Sequence, residues 1–205
     1  MKRYLTVPVI ALILLSISLT PGSAAGGVPT DQIKSTVDKA LVVLKDPRLK
    51  PAAKTKERRE QLKQILFARF DFTEMAKRSL GANWRRRTPK EQEEFVRLFT
   101  DLLERAYADT IESYGDEKIV YVGERLDGGY ADISSKVLTS KSEEFSLNYR
   151  AHFVGGEWRV YDVVVENISM VNNYRSQFNR VITNASYEEL VRRLKDKADF
   201  PVQKN

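Results

Sequence analysis

The apolar residues of this chain follow a helical period as far as Tyr114 and a strand period after Glu117. That single change limits the folds open to it. Between residues 30 and 114 they recur every three or four positions: Ile33, Val37, Leu41 and Leu44; Leu62, Ile65 and Leu66; then Phe95, Leu98, Phe99, Leu102, Leu103, Ala106, Tyr107 and Ile111. Such spacing gathers each set on one stripe of a helix. Asp46-Pro47 ends the first helix, and a second is predicted from about Thr55 to Arg69. Asp71 followed by Glu74 reads as a cap opening a short helix that Gly81 closes. Thr88-Pro89-Lys90-Glu91 combines a capping threonine, a proline at the first helical position and a glutamate at the third. The helix it opens should stop at Gly115.

Beyond Glu117 the pattern alternates. Lys118–Leu126 and Tyr130–Leu138 flank Asp127-Gly128-Gly129, a hairpin signal. Phe145, Leu147, Tyr149, Ala151 and Phe153 alternate with Ser146, Asn148, Arg150 and His152, which predicts a strand with one wet face. Gly155-Gly156 turns the chain into a fourth strand, Glu157 to Glu166. Helices follow from Ser169 to Thr183 and from Ser186, capped with Glu189 three residues on, to about Ala198. Helices, then sheet, then helices predicts an α+β fold. An antiparallel curved sheet of four strands or slightly more is packed on one face by about six helices.

The N-terminus reads as an address. Lys2 and Arg3 precede an apolar run from Leu5 to Leu19, and Ser23-Ala24-Ala25 supplies small residues before Gly26. This is the layout of a secretory signal peptide over residues 1–25, leaving 26–205 as one domain. The run is short of the roughly 20 apolar residues of a spanning helix. Loss of Lys2 and Arg3 takes the formal charge from +6 to +4. The chain has no cysteine, so a secreted fold must stand on its core alone.

Catalytic signatures are scarce. His152 is the sole histidine and falls on the polar face of its strand, where it is expected to be exposed. There is no GxSxG, no HExxH and no glycine-rich phosphate loop. Asp132 and Asp162 lie in strands with nothing to mark them as acid or base. Trp84 with Arg85, Arg86 and Arg87 suggests nucleic acid, but mixed charge and a secreted destination argue against it. A solvated approach to the helix, or docking on an acidic partner or anionic bilayer, fits better. The large residues of the sheet face and long helix serve either as packed core or as the wall of a cavity for an apolar ligand. Periodicity does not separate the two.

Two long segments carry a resemblance. FDFTEMAKRSLGANWRRRTPKEQEEFVRLFTDLLERAY (Phe70 to Tyr107) is similar to the middle of the MlaC, or toluene-tolerance, family of periplasmic phospholipid-binding proteins. WRVYDVVVENISMVNNYRSQFNRVI (Trp158 to Ile182) resembles the family's C-terminal signature, with Asn173-Tyr174-Arg175-Ser176-Gln177-Phe178 inside it. Where the family favours Gly-Val-Ser after the strand, this chain has Asn167-Ile168-Ser169. The resemblance implies a monomeric periplasmic carrier without catalytic residues, metal or cofactor, its cargo a phospholipid whose acyl chains lie in an apolar pocket between sheet and helices. It implies docking to an inner-membrane ABC transporter with an MCE-domain subunit and to an outer-membrane lipoprotein–porin complex, and no nucleic acid. The expected pocket lining is Phe95, Phe99, Leu102, Tyr107, Val122, Phe145, Leu147, Tyr149, Trp158, Val160, Met170, Val171, Tyr174 and Phe178. Arg85, Arg86, Arg87 and Arg175 are the expected headgroup or docking residues. The rival is an enzyme acting on a small apolar substrate in an open pocket of the same scaffold.

Overall fold

The computed structural model describes residues 28–114, 117–139, 143–198 and 200. The signal peptide expected over residues 1–25 and the helix stop expected at Gly115 lie outside them. Among the described residues six α-helices are formed: α1 (Pro29–Lys45), α2 (Thr55–Phe67), α3 (Phe72–Leu80), α4 (Pro89–Glu112), α5 (Met170–Asn184) and α6 (Tyr187–Lys195). Their starts follow the local chemistry. The Asp71 carboxylate accepts from Glu74 N at 2.8 Å. Thr88 Oγ1 accepts from Glu91 N while the Glu91 carboxylate accepts from Thr88 N at 2.7 Å, a complete capping box. Ser169 accepts from Asn172 N and Ser186 from Glu189 N. Each satisfies an amide that a helix start leaves without an internal partner. Gly81 ends α3 at φ +56°, a conformation that costs other residues strain.

Five strands among the described residues, β1 (Lys118–Asp127), β2 (Tyr130–Leu138), β3 (Glu144–Val154), β4 (Glu157–Val165) and β5 (Ile168–Ser169), pair antiparallel in chain order. The fifth strand adds two residues to the expected meander. It returns through Glu166 and Asn167, both left-handed at φ 47° and 65°. Two central residues of positive φ suit a tight two-residue hairpin turn. Asn167 stands where the family favours glycine, and asparagine tolerates that conformation. The turn therefore survives the departure.

The sheet has two unlike faces. Ala131, Ile133, Tyr149, Ala151, Trp158, Val160 and Val163 cluster on one face, with Ile33 of α1 packed into them. On the other face Arg125, Asp132, Arg150 and Asp162 lie directly opposite one another across β1 to β4. α1 covers the apolar face. Residues 69–71 run beside β4, where Val160 N donates to Arg69 O and Asp71 N donates to Val160 O. From that edge α3 and α5 reach round to the charged face. A second core joins α3 to α6 through Met75, Phe95, Phe99, Tyr174, Phe178 and Leu190. A third, smaller one ties α1 to α2 through Ala40, Leu44 and Leu62, with Ile111 of α4 against it.

Candidate functional site

The residues expected to line a pocket fall into two neighbouring clusters. Phe95, Phe99, Leu102, Val171, Tyr174 and Phe178 belong to the helical core, with Tyr107 packed against it. Phe99 meets Tyr174 and Phe178 edge to face at 5.5 and 5.9 Å, an arrangement aromatic quadrupoles favour. Tyr149, Trp158 and Val160 belong to the sheet cluster, with Leu147 against it. Phe70 and Met170 pack on both clusters and mark the seam between them. Phe145 is half-buried beside Val137. Two hydroxyls interrupt this interior. Those of Tyr121 and Tyr174 are buried without a hydrogen-bond partner of good geometry. Burial pushes both phenols well above the usual tyrosine range, and Tyr107 lies beside Tyr174.

Three expectations are corrected. Val122 was expected to face inward, but it sits at the bulge between Tyr121 and Gly123 and is 54% exposed. The extra residue breaks the alternation on which its facing was assigned. His152 is not an exposed histidine. Its side chain is only 17% exposed and its Nε2 lies 3.0 Å from Asp71 Oδ2, while Tyr130 and Tyr161 pack against the ring. Nor do Arg85 to Arg87 form one solvated group. Gly81–Arg86 is a 3₁₀ helix. Arg87, 19% exposed, lies 4.4 Å over the Tyr187 ring and pairs with Glu91, so it fastens α6 to the start of α4.

Sequence reasoning missed a cleft of about 600 Å³ over the charged face, lined by side chains of α3, α5, the 3₁₀ helix and β1 to β4. Its floor is an ionic row. Arg125 reaches Asp132 at 2.6 Å, and Arg150 pairs with both Asp132 and Asp162. Asp162 is 2% exposed and also accepts from Ser169 Oγ and from Val171 N at 3.0 Å. That carboxylate thus joins the sheet to the start of α5. Arg78 is held by Glu74 and lies 3.9 Å over the Tyr161 ring. Arg85 and Arg175 stand at the rim with Lys77 and Trp84. The first pair was available to sequence reading: a turn at Gly128-Gly129 sets Arg125 opposite Asp132. The second depends on a bulge after Arg150, which nothing local announces.

Comparison with known proteins bears on what such an arrangement holds. Intermembrane phospholipid transport system binding protein MlaC of Haemophilus influenzae is 23% identical over 128 residues, 60% of this chain and 60% of that one. The chain therefore spans less than two thirds of that relative. Toluene tolerance protein ttg2D of Pseudomonas putida is 24% identical over 158 residues, covering 76% of this chain and 74% of that protein. A solved phospholipid-binding protein from Ralstonia solanacearum, in complex with a phospholipid, has a TM-score of 0.74 and 25% identity over 82% of this chain and 96% of its own. The family model described as MlaC protein matches residues 34–196, from α1 to just past α6 and so through every strand. By that match the chain belongs to the MlaC family.

Proposed function

We propose that this protein is a periplasmic phospholipid carrier rather than an enzyme. The observation that carries the reading is a protein of the same fold, 25% identical, described in complex with a phospholipid. The relatives named for phospholipid transport and toluene tolerance point the same way. In this chain the acyl chains lie along the seam at Phe70 and Met170, between the sheet cluster and the helical core. The expected lining residues supply the two walls. Residues 1–25 direct export and are removed, and residues 26–205 act as a monomer. The carrier passes lipid between an outer-membrane lipoprotein–porin complex and an inner-membrane ABC transporter with an MCE-domain subunit, sustaining the lipid asymmetry of the outer membrane.

The energetics suit a carrier. Each methylene taken from water is worth about 0.8 kcal/mol, so an acyl chain of about fourteen methylenes represents about 11 kcal/mol before the costs of binding. That approaches the scale of a nanomolar complex. Burial of this kind is non-directional, so the walls discriminate chain length weakly. Release requires a partner that offers an equal apolar site or favours an opened seam.

Native mass spectrometry with lipid extraction on the mature chain, purified from a Gram-negative periplasm, tests the reading. Near-stoichiometric diacyl phospholipid is expected. A lipid-free mass, together with no uptake from phospholipid vesicles, would overturn it. Turnover of an apolar substrate would favour the enzyme instead.

A further inference from the structure

The cleft over the charged face holds more positive charge than its carboxylates neutralise. Lys77, Arg78, Arg85, Arg125, Arg150 and Arg175 line it against Asp127, Asp132 and Asp162. Asp132 lies between Arg125 and Arg150, and Asp162 is engaged by Arg150, Ser169 and the Val171 amide. Glu74 alone serves both Lys77 and Arg78. Arg85 and Arg175 have no ion-pair partner among the described residues. The surplus is therefore concentrated at the α3–α5 rim.

That rim is shaped as well as charged. Gly81 lacks the Cβ that would come within 2.7 Å of Arg175 Nε, so the Arg175 side chain lies against the Gly81 backbone. Lys77 sits one turn before this glycine on α3. Arg85 follows it on the 3₁₀ helix, and Arg175 arrives from α5. Cations from three elements thus line one side of the cleft, with half-buried Trp84 among them and Arg175 seated on the bare Gly81 backbone. A guanidinium presents parallel N–H donors whose fork matches phosphate oxygens. A volume of about 600 Å³ lies in the range of small-ligand sites and leaves room for a substituent on the phosphate.

We propose that Lys77, Arg85 and Arg175 form a binding site for a phosphate or phosphate-ester anion, over the charged face of the sheet and opposite its Ile133–Tyr149 cluster. Free phosphate and the phosphodiester of a lipid headgroup share this chemistry. The site goes beyond the carrier reading and does not depend on where acyl chains lie.

An amide-resolved NMR titration of the mature chain tests it, with inorganic phosphate and glycerophosphoethanolamine as separate probes at ionic strength held with chloride. Saturable shifts are expected at Gly81, Trp84, Arg85 and Asn172. The double variant Arg85→Gln, Arg175→Gln is expected to weaken binding by roughly tenfold or more with an unchanged melt. Lys77→Gln, at an exposed position, gives a second reading and should weaken binding several-fold, by roughly half the effect of the pair. Equal response to both probes assigns the site to phosphate itself; preference for the diester assigns it to a headgroup. No saturable shift, the same shifts with chloride alone, or wild-type affinity in all variants overturns the proposal. Normal phospholipid uptake alongside a failed titration sinks this site and leaves the carrier reading standing.

Discussion

Asp132 and Ile133 are neighbours in β2 and live under different physics. Ile133 is fully buried in the cluster that holds Ile33 and Tyr149, so its contribution scales with the apolar area and volume it fills. Asp132 lies between two guanidiniums in an open cleft, where solvent screens attraction and the same contacts stabilise far less. One face of the sheet holds the fold together. The other carries ion pairs that stabilise the fold far less. Strong and weak contributions to stability are thereby separated by the thickness of one sheet.

That separation can be broken by mutation, most heavily on the apolar side. Ile133→Ala should cost about 2–5 kcal/mol, since a fully buried site leaves a cavity behind. Urea unfolding followed by circular dichroism reads it, and a loss below about 1 kcal/mol would mean the sheet cluster is loosely packed. Asp162→Ala is the one charged-face change expected to behave like a core lesion, at about 1–3 kcal/mol. It strands Ser169 Oγ and the Val171 amide and removes a partner of Arg150. An effect confined to the β4–α5 junction in hydrogen exchange would sharpen the point.

Alkaline pH should act on the apolar regions and spare the ionic row. Burial raises the Tyr187 phenol to about 12 and pushes Tyr149 higher still. The folded state holds these groups neutral, so their contribution is complete below the unfolded value of about 10 and is lost as pH rises through the folded values. The urea midpoint should fall between about pH 10 and about 12, less steeply in Tyr187→Phe. A flat midpoint over that window would contradict the burial of these rings. Thr88→Ala, which removes the hydroxyl half of the α4 capping box, should cost about 1 kcal/mol in the same urea assay. Lys136→Ala, at an exposed pair with Glu144 on the charged face, should change stability by no more than about 0.5 kcal/mol.

The parts of this design that sequence reveals are those settled within one turn of chain. A cap needs a side chain and an amide three residues away, so Asp71 with Glu74, Thr88 with Glu91 and Ser186 with Glu189 could all be read directly. The change of period after Tyr114 likewise announced helices before sheet. Facing was less legible. Val122 in β1 and Tyr161 in β4 are the extra residues at two bulges, and one inserted residue turns every later side chain of its strand over. Phe153 keeps its alternation and is still 41% exposed at the end of its strand, one pair from the Gly155-Gly156 turn. His152 finds Asp71 across 81 residues, a partner no local pattern could supply. The candidate site suffers most, since the cleft is assembled from α3, α5 and four strands and exists only once they dock.

The strip of chain at Arg69 to Asp71 carries one more consequence. It lies beside Val160, and Arg69 Nη1 donates to the Trp158 carbonyl at 2.7 Å across 89 residues of sequence. A polypeptide made from its N-terminus forward exposes this strip long before β4 exists. α1 to α4 can form early from local signals, but their seat on the sheet cannot. Closing so large a loop carries an entropic cost that nothing repays until both ends meet. The docking of residues 69–71 on β4 should thus be a late event in folding, and the interval before it is when the apolar stripe of α1 stands most in need of protection.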